Sequence, residues 1–418
     1  MLKEFNFKNF KSFKDETSLS LEAMNFSNDN LDCFNIKEIK NTRLLKSVAI
    51  YGHNSYGKTN IFKALSKMLE IIKFCINSDY TINVDNFKLD NYSKNESTKF
   101  ELVFIMNEIT FRYGFEVFEN HISKEWLYKK ILRETRIFER TASNNSNIIL
   151  NSKYSQYGKY VKFTKDTELF LSSMEKNNIS GEIRDIYNFI TKNIHIFSAE
   201  LMPNITSRML LDNFIDKNAL LETLKKADLN IFNINIKKEE KKFDELPELL
   251  KSIIKENKIP NESLFNIEEF ITHPVFSKNK DIIGNIDFNL QENESEGTKK
   301  LYYLMGPILK TLEQGNVIFI DELDSKLHHL IIKLIIELFN SIDKNKNNAQ
   351  LIFNTHDFYL LKEDLFRKDQ VYFVDKDEFG ISSLYSLADF KGIEKKTNLL
   401  THYLLGNFGS LGKVNVIK

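Results

Sequence analysis

The order of apolar and polar residues predicts alternating strands and helices along most of the chain. Two short strands with alternating apolar residues are predicted within residues 1–22, and an all-apolar strand then ends at Gly52. From Lys58 onward the apolar residues recur at helical spacing, so a glycine-containing loop joins that strand to a helix. Residues 99–132 return to a period of two, which indicates antiparallel strands with tight connections.

The second half of the chain predicts more helices and a second set of strands. Residues 168–260 have a mostly helical pattern, and the charged run at 236–242 is interpreted as a solvated face rather than a nucleic-acid tract. The last third predicts helix, strand, helix, strand and hairpin, in the order GTKKLYYLMGPILKTLEQG, NVIFIDE, SKLHHLIIKLIIELFNSI, AQLIFNTHD and QVYFVDKDEFGISSLYSL. Such alternation predicts an α/β fold with a mainly parallel sheet that is covered on both faces.

Composition narrows the class of protein. The chain has 418 residues, of which 42% are hydrophobic, so a large core can form. Lys+Arg and Asp+Glu both total 58, which argues against a dominant nucleic-acid-binding surface. No apolar run approaches the ~18 residues of a membrane span, and the start lacks the apolar segment of a signal peptide. With only Cys33 and Cys75, we expect a cytoplasmic protein with no membrane segment.

The first chemical signal is the pattern Gly52-x-x-x-x-Gly57-Lys58-Thr59 between the buried strand and the helix. Glycines let backbone N–H groups converge on phosphate oxygens, and the helix N-terminus adds partial positive charge. The lysine is placed to reach the β- and γ-phosphates, and the threonine hydroxyl to bind Mg²⁺. The alternative interpretation is a glycine turn with an incidental lysine.

A second signal follows an apolar strand near the end of the chain. In VIFIDE, Asp321 can hold the magnesium directly or through water, and Glu322 is placed to orient or deprotonate the attacking water. Taken alone, two acids after an apolar strand would indicate no more than a strand end that meets solvent. Together with the phosphate loop they predict nucleotide hydrolysis.

Further motifs occur in a fixed order along the chain. They are NFKSF at 9–13, GHNSYGKTN at 52–60, ESEGTKKL at 294–301, IDELDSKLH at 320–328 and NTHD at 354–357. As a set they resemble the ABC-type ATPases, specifically the RecF/SMC-like branch. ESEGTKKL, the DELDSKLHH run and the final hairpin are similar to AAA-type ATPases of bacterial anti-phage systems, such as the RloA/AbiL-like and PARIS ATPases.

The resemblance implies a composite site made by two copies of the chain that meet head to tail around two ATP molecules with Mg²⁺. The implied residues of one copy are the nucleotide-binding Gly52, His53, Asn54, Ser55, Tyr56, Gly57, Lys58, Thr59 and Asn60, the metal-binding Thr59 and Asp321, and the catalytic Glu322 and His356. Ser295 and Gly297 of the other copy would complete the site, and Asp324 would organise the seam. Lys11 is a candidate nucleotide contact, with an exposed turn lysine as the alternative. No glutamine is assigned to the glutamine loop that such ATPases usually have.

The implied fold is an ABC-type ATPase head with a mainly parallel sheet, an antiparallel β subdomain and a mostly helical insertion. We expect the head to comprise residues 1–75 and 281–418, the β subdomain 76–165 and the helical insertion 166–280.

Three functions are compatible with such a head. The first is a sensor or scaffold of a phage-defence system, a homodimer or higher homo-oligomer that acts through a separate effector, a nuclease or toxin encoded nearby. Its trigger would be a nucleic acid or a phage protein. The second is a RecF-like DNA-repair ATPase that clamps DNA, with a groove lined by Lys3, Lys8, Lys11 and Lys14. A transporter subunit is disfavoured by the long gap between the phosphate loop and ESEGTKKL at 294–301, the signature segment that contains Ser295 and Gly297.

Overall fold

The computed structural model describes residues 1–26, 31–141, 147–177, 179–198, 203–227, 231–240, 265–363, 365–392 and 398–409. The chain divides into two compact units. The first unit comprises Met1–Ala199, Thr311–Ser325 and Ile332–Lys418, and the second comprises Glu200–Lys310 and Lys326–Ile331. No helix within these described ranges has both the length and the apolarity needed to cross a bilayer.

Both units contain strands and helices. The strands are β1 (Leu2–Lys8), β2 (Thr17–Ser20), β3 (Ile36–Ile39), β4 (Thr42–Leu45), β5 (Ser47–Gly52), β6 (Thr98–Met106), β7 (Ile109–Phe118), β8 (His121–Lys130), β9 (Glu134–Thr141), β10 (Ile148–Leu150), β11 (Ile194–Phe197), β12 (Asn233–Glu240), β13 (Phe265–Phe276), β14 (Ile282–Asn289), β15 (Val317–Ile320), β16 (Gln350–Asn354), β17 (Val371–Lys376) and β18 (Ser382–Ser386). The α-helices are α1 (Asp32–Asn35), α2 (Lys58–Phe74), α3 (Gly158–Val161), α4 (Phe170–Lys176), α5 (Glu182–Lys192), α6 (Ile205–Leu211), α7 (Lys217–Lys226), α8 (Leu290–Asn293), α9 (Glu296–Gln314), α10 (His329–Asn340) and α11 (Leu399–Leu404).

A six-stranded sheet in the first unit carries the predicted chemistry. Its strand order is β11-β15-β16-β5-β17-β18, and every neighbouring pair is parallel except the hairpin β17–β18. All residues of β5 and β15 are buried, as expected for central strands of a covered parallel sheet. Since parallel strands end at the same edge, the segments that follow β5, β15 and β16 come together there. The α/β fold and mainly parallel sheet predicted from the sequence are confirmed.

The second sheet of this unit is antiparallel, with the order β10-β9-β8-β7-β6-β1-β2. Phe5 and Phe7 of β1 are fully buried on its apolar face. The other face carries ion pairs such as Arg112–Glu134, 2.9 Å apart. The sequence predicted the β1–β2 pair and the strands in 99–132 correctly but placed them in separate segments. In the structure β1 pairs with both β2 and β6, so one continuous sheet joins them.

The second unit contains both helices and strands. Helices α6 and α7 are present, but β12, β13 and β14 form a three-stranded antiparallel sheet where the prediction for 166–280 was mostly helical. The sequence analysis missed these strands, although NINIK and the stretch Ile267, Glu269, Ile271 alternate with a period of two, because it interpreted the charged run at 236–242 as a solvated face. The helix predicted from ELPELLKSIIKEN lies outside the described residues.

Candidate nucleotide site

The phosphate loop leaves the end of β5 and enters α2 at the edge of the parallel sheet. Both motif glycines are required by close packing. A Cβ atom on Gly52 would lie 2.7 Å from the carbonyl oxygen of Val374. Gly57 has a φ of +115°, and a Cβ there would lie 2.7 Å from Ser12 Oγ and 2.8 Å from Ser382 Oγ. The backbone therefore takes a path that only glycine fits at these two positions.

The N-terminus of α2 points its backbone donors at this loop. Gly57 is the N-cap residue, so no side chain caps the helix within the described part of the chain, and the first turn contains no acidic residue. The first N–H groups of a helix have no intrahelical acceptor, and the helix dipole places partial positive charge there. This end of α2 therefore suits an anionic ligand such as a nucleotide phosphate.

Lys58 lies almost fully buried at the first position of α2. Its ammonium group donates hydrogen bonds to the carbonyl oxygens of Gly52 at 2.6 Å and of His53 at 3.3 Å. Burial lowers the pKa of Lys58 to about 8, although the carboxylates of Asp324, Glu322 and Asp321 act in the opposite direction. The lysine is thus held by two carbonyls that a phosphate oxygen can replace as acceptors.

The two residues that the sequence assigned to magnesium lie in contact. Thr59 Oγ1 donates to Asp321 Oδ1 at 3.1 Å. Two cis ligands of an octahedral Mg²⁺, each about 2.1 Å from the metal, lie about 3 Å apart, so this spacing fits the ion. Thr59 and Asp321 would therefore hold Mg²⁺ together with phosphate oxygens and water.

Asn354, at the end of β16, links the two acidic residues and was missed by the sequence analysis. Its side-chain nitrogen donates to Asp321 Oδ1, and its side-chain oxygen accepts from the backbone N–H of Glu322 at 2.5 Å. Glu322 itself is exposed and has a left-handed φ of 51°. Asn354 therefore fixes the orientation of the backbone that carries the predicted catalytic carboxylate. The signal was its place at a strand end inside NTHD, directly before the predicted histidine.

His356 and Asp324 also lie at this edge. The backbone N–H of His356 donates to Asp324 Oδ2 at 3.0 Å. The other oxygen of Asp324 is buried and has no hydrogen-bond partner within the described residues. Burial lowers the pKa of His356, and the charge of Lys58 lowers it further, against the effect of the Asp324 and Glu322 carboxylates. A neutral imidazole at this place can contact a phosphate oxygen or water.

The remaining loop residues are tethered by the hairpin β17–β18 and the NFKSF turn. Ser382 donates to the carbonyl oxygen of Tyr56 at 2.5 Å, and Lys376 to that of Ser55 at 3.4 Å. Asn60 donates to Ser12 Oγ at 2.8 Å. Sequence reasoning missed Ser12, Ser382 and Lys376, which are far from the motif along the chain.

His53 and Asn54 lie at the open side of the loop. The side chains of both are exposed, and His53 Nδ1 lies 3.0 Å from the carbonyl oxygen of Asn54. The imidazole ring packs against Tyr56, with 5.3 Å between the ring centroids. Both residues are therefore accessible to a bound nucleotide.

Lys11 lies in the NFKSF turn beside a cavity of about 310 Å³. Its ammonium forms an ion pair with Asp85 at 2.7 Å. The cavity is lined by Lys11, Ser12, Asp85, Asn86, Phe87, Lys88, Leu89, Lys376 and Gly380. Because Ser12 and Lys376 also contact the phosphate loop, the cavity adjoins that loop.

Ser295 and Gly297 lie in the second unit, at the start of α9. Ser295 Oγ accepts the backbone N–H of Thr298 at 3.1 Å and thereby caps the helix. A Cβ on Gly297 would lie 2.9 Å from the carbonyl oxygen of Lys326. Glu296 forms ion pairs with Lys299 and Lys326, both at 2.9 Å. The segment is thus fixed within its own unit, with glycine at its point of closest backbone approach.

The parallel sheet, the phosphate loop that follows β5 and the acidic pair that follows β15 define an ATPase fold of the AAA/ABC type. The chain belongs to the family described as "AAA domain, putative AbiEii toxin, Type IV TA system", whose profile matches residues 47–362. This is a family related to abortive infection, and nucleotide hydrolysis is the general chemistry of AAA domains. A search among curated proteins gave no match to this sequence.

Proposed function

We propose that this chain binds ATP with Mg²⁺ and hydrolyses it to ADP and phosphate. The observation that supports this most directly is the contact between Thr59 and Asp321, with Glu322 held next to them by Asn354. These groups come from α2 and the ends of two strands, and they meet where the phosphate loop ends. Such convergence joins phosphate-binding donors, metal ligands and a general base in one place.

In the proposed reaction Lys58 leaves its two backbone carbonyls and binds the β- and γ-phosphates. Thr59 and Asp321 would hold Mg²⁺, which when bound would supply positive charge to neutralise the phosphate oxygens. Glu322 accepts the proton of a water molecule as that water attacks the γ-phosphorus, and the bond to the bridging oxygen of ADP breaks. His356 contacts the γ-phosphate from the end of β16.

We propose further that a second copy of the chain completes the site. Ser295 and Gly297 of that copy would present a hydroxyl group and a helix N-terminus to the γ-phosphate. The Ser295 oxygen accepts the N–H of Thr298 and lies 2.9 Å from Thr298 Oγ1, so its own hydrogen can be donated to phosphate when the Thr298 hydroxyl donates to it. Asp324, with one buried oxygen that no described residue satisfies, would organise the seam between the copies. ATP binding would then close a homodimer, or part of a larger homo-oligomer, and hydrolysis would open it.

In the cell, we propose a cytoplasmic sensor or scaffold of a phage-defence system, similar to the RloA/AbiL-like or PARIS ATPases. The support is the family match, whose description names an AbiEii toxin and a toxin–antitoxin system. The assigned motifs all belong to the ATPase head, so a separate effector protein, a nuclease or toxin, would carry out the defence. A nucleic acid or a phage protein would be the trigger.

The alternative, a RecF-like clamp on DNA, has no observation in its favour. The four lysines expected to line a DNA groove each lie within 2.7–3.1 Å of a carboxylate: Lys3 with Glu22, Lys8 with Glu96, Lys11 with Asp85 and Lys14 with Asp90. Their charge is therefore neutralised locally. DNA binding that requires ATP and weakens steeply with salt would restore this alternative.

The test is ATP turnover by the wild type and by Glu322→Gln, with molar mass followed by light scattering. We expect Glu322→Gln to lower kcat on the order of 100-fold or more while ATP binding persists, so that an ATP-dependent dimer accumulates. Glu119→Gln is the matched control, because Glu119 is also an exposed glutamate with a φ of 51°, in the turn between β7 and β8. Wild-type protein that neither hydrolyses ATP nor associates with it would exclude the proposal.

A further inference from the structure

The second unit contains a buried hydrogen-bonded cluster that no motif marks. At its centre is Glu269 of β13, whose surface is only 3% exposed. Ser207 donates to one carboxylate oxygen at 2.5 Å and Tyr303 to the other at 2.7 Å. The amide nitrogen of Asn204, in the orientation that satisfies its hydrogen bonds, donates to both oxygens at 2.8 and 3.3 Å. The hydroxyl oxygens of Ser207 and Tyr302 lie 2.6 Å apart and extend the cluster.

The hydrogen bonds of this cluster connect α6 and β13 to α9. Tyr302 and Tyr303 belong to α9, Ser207 to α6 and Glu269 to β13. Burial raises the pKa of the Glu269 carboxyl, and the hydrogen bonds that it accepts counteract this. A buried carboxyl is costly unless its oxygens are satisfied, and here hydroxyl and amide donors satisfy both of them. The carboxyl therefore constrains all three elements.

Thr206, the residue before Ser207 in α6, donates a hydrogen bond to α9 where a proline removes a helical one. Pro307 lies inside α9 and has no N–H, so the carbonyl of Tyr303 loses its helical donor. The Thr206 hydroxyl lies 2.9 Å from that carbonyl oxygen and 2.8 Å from the carbonyl oxygen of Tyr302. It also accepts the N–H of Gly306 at 3.2 Å, so it is inserted into the hydrogen-bond ladder of the helix.

Gly306 makes this insertion possible. A Cβ atom there would lie 2.5 Å from Thr206 Oγ1 and 2.9 Å from Thr206 Cα. The glycine, the proline and the threonine thus form one fitted contact, and α6 can dock against α9 in only this register.

We propose that Thr206 and Glu269 are positioning residues that set the direction of α9, and thereby aim Ser295 and Gly297 at the ATP held by a second copy of the chain. This inference rests on the proposed function. Ser295 precedes Tyr303 by about 12 Å of helix, so a tilt of about 10° at the cluster moves Ser295 by about 2 Å. A displacement of about 1 Å at a reacting centre can cost on the order of 100-fold in rate.

The test compares Thr206→Val, Thr206→Ser and Glu269→Gln with the wild type. Thr206→Val keeps the shape but leaves the Tyr303 carbonyl without its donor, whereas Thr206→Ser keeps the hydroxyl. Glu269→Gln turns an amide N–H₂ toward groups that are themselves donors. We measure kcat, ATP-dependent association in the Glu322→Gln background, and ATP affinity of the single chain at a protein concentration too low for association.

We expect Thr206→Val and Glu269→Gln to lower kcat on the order of 100-fold and to weaken association, with single-chain ATP affinity within about twofold of wild type. Thr206→Ser should restore kcat to within about threefold. Thr223→Val is the matched control, because Thr223 is a buried threonine of α7 whose hydroxyl donates to the carbonyl of Ala219 in its own helix. It should leave kcat and association unchanged, whatever its effect on the unfolding temperature.

Two results would overturn the inference. In the first, Thr206→Val and Glu269→Gln lower the unfolding temperature but leave kcat and association at wild-type values, so that the cluster only stabilises the unit. In the second, single-chain ATP affinity falls in parallel with kcat, so that the effect is a general loss of the nucleotide site. Failure of the proposed function is distinct from both, because then the wild type itself shows neither turnover nor association.

Discussion

The phosphate loop and the signature segment both depend on a glycine at a close backbone approach, but they are held in different ways. The residues of the phosphate loop contact other motif residues directly: Lys58 binds the carbonyl of Gly52, and Thr59 binds Asp321. In the signature segment Ser295 caps its own helix, and the anchors of that helix, Thr206 and Glu269, lie outside any motif. The residues of the phosphate loop are thus visible in a motif, whereas the segment that we propose to face a second copy of the chain depends on supports that are distant along the chain.

The largest expected effect is on the phosphate loop. Lys58→Met should raise the Kd for ATP by on the order of 100-fold or more. The substitution removes the ammonium group that is expected to exchange its two backbone carbonyl acceptors for phosphate oxygens. The affinity is measured by titration with a fluorescent ATP analogue. Lys63→Met, at an exposed position of α2, is the control and should bind as wild type. Near-wild-type affinity of Lys58→Met would show that this loop does not bind ATP.

Two substitutions at Ser295 test the signature segment in the same way. Aspartate caps a helix about as well as serine, so Ser295→Asp should keep the unfolding free energy. Its negative charge would face the γ-phosphate, and kcat should fall on the order of 100-fold with single-chain ATP affinity unchanged. Ser295→Ala should cost about 1 kcal/mol of stability through the lost cap but lower kcat by only about tenfold. Equal kcat values for the two variants would contradict a phosphate-facing role.

A smaller effect is expected at the link between the acidic residues. Asn354→Asp keeps an oxygen that can accept the N–H of Glu322 but places a second carboxylate oxygen against Asp321. The repulsion should lower kcat by about tenfold and raise the Mg²⁺ concentration needed for half-maximal rate. Asn151→Asp is the control, since Asn151 caps the short helix Ser152–Tyr157 and aspartate caps equally well. An unchanged magnesium dependence would show that Asn354 does not act on the metal ligand.

The smallest expected effect is the pH dependence of ATP affinity and of protein stability, both of which follow from the pKa of Lys58. Phosphate favours the charged form of Lys58, whose pKa in the free protein is about 8, so ATP affinity should fall above pH 8 by up to about tenfold per pH unit. The stability of the ligand-free protein should change in the opposite direction. The lysine binds more protons in the unfolded chain, where its pKa is near 10.5, so stability rises from pH 8 to 10.5. Both slopes should disappear in Lys58→Met, as measured by ATP titration and thermal unfolding.

The fold was predictable where one period of hydrophobicity ran undisturbed. The strand β5 and the helix α2 followed from an apolar run, a glycine loop and helical spacing, and β6 to β8 from alternation. The strands β12 and β13 were missed because a run of lysines and glutamates outweighed a short alternating stretch. That β1 joins the antiparallel sheet could not be inferred, because pairing with β6 is decided by tertiary packing rather than by either segment alone.

Only the site residues that lie in recognisable motifs could be predicted from the sequence. Asn354 contacts Asp321 because β15 and β16 are neighbours in the sheet, and Ser12 and Ser382 meet at Gly57 because a turn and a hairpin converge on the loop. These contacts join residues that are distant in the chain, and no periodicity encodes them. Thr206 and Glu269 were missed for the same reason, since their significance depends on the proline break in a helix from another segment.

The position of β5 between β16 and β17 also has a consequence for biosynthesis. The strand that leads into the phosphate loop is synthesised long before either of its sheet neighbours, β16 and β17. The side chain of Gln350 likewise bonds the backbone of Leu2, 348 residues away. Until those strands exist, the apolar SVAIY segment has two open edges and needs protection from aggregation. Translation that stops before Val371 would therefore yield a chain in which the proposed nucleotide site cannot assemble and in which β5 is prone to pair with other chains.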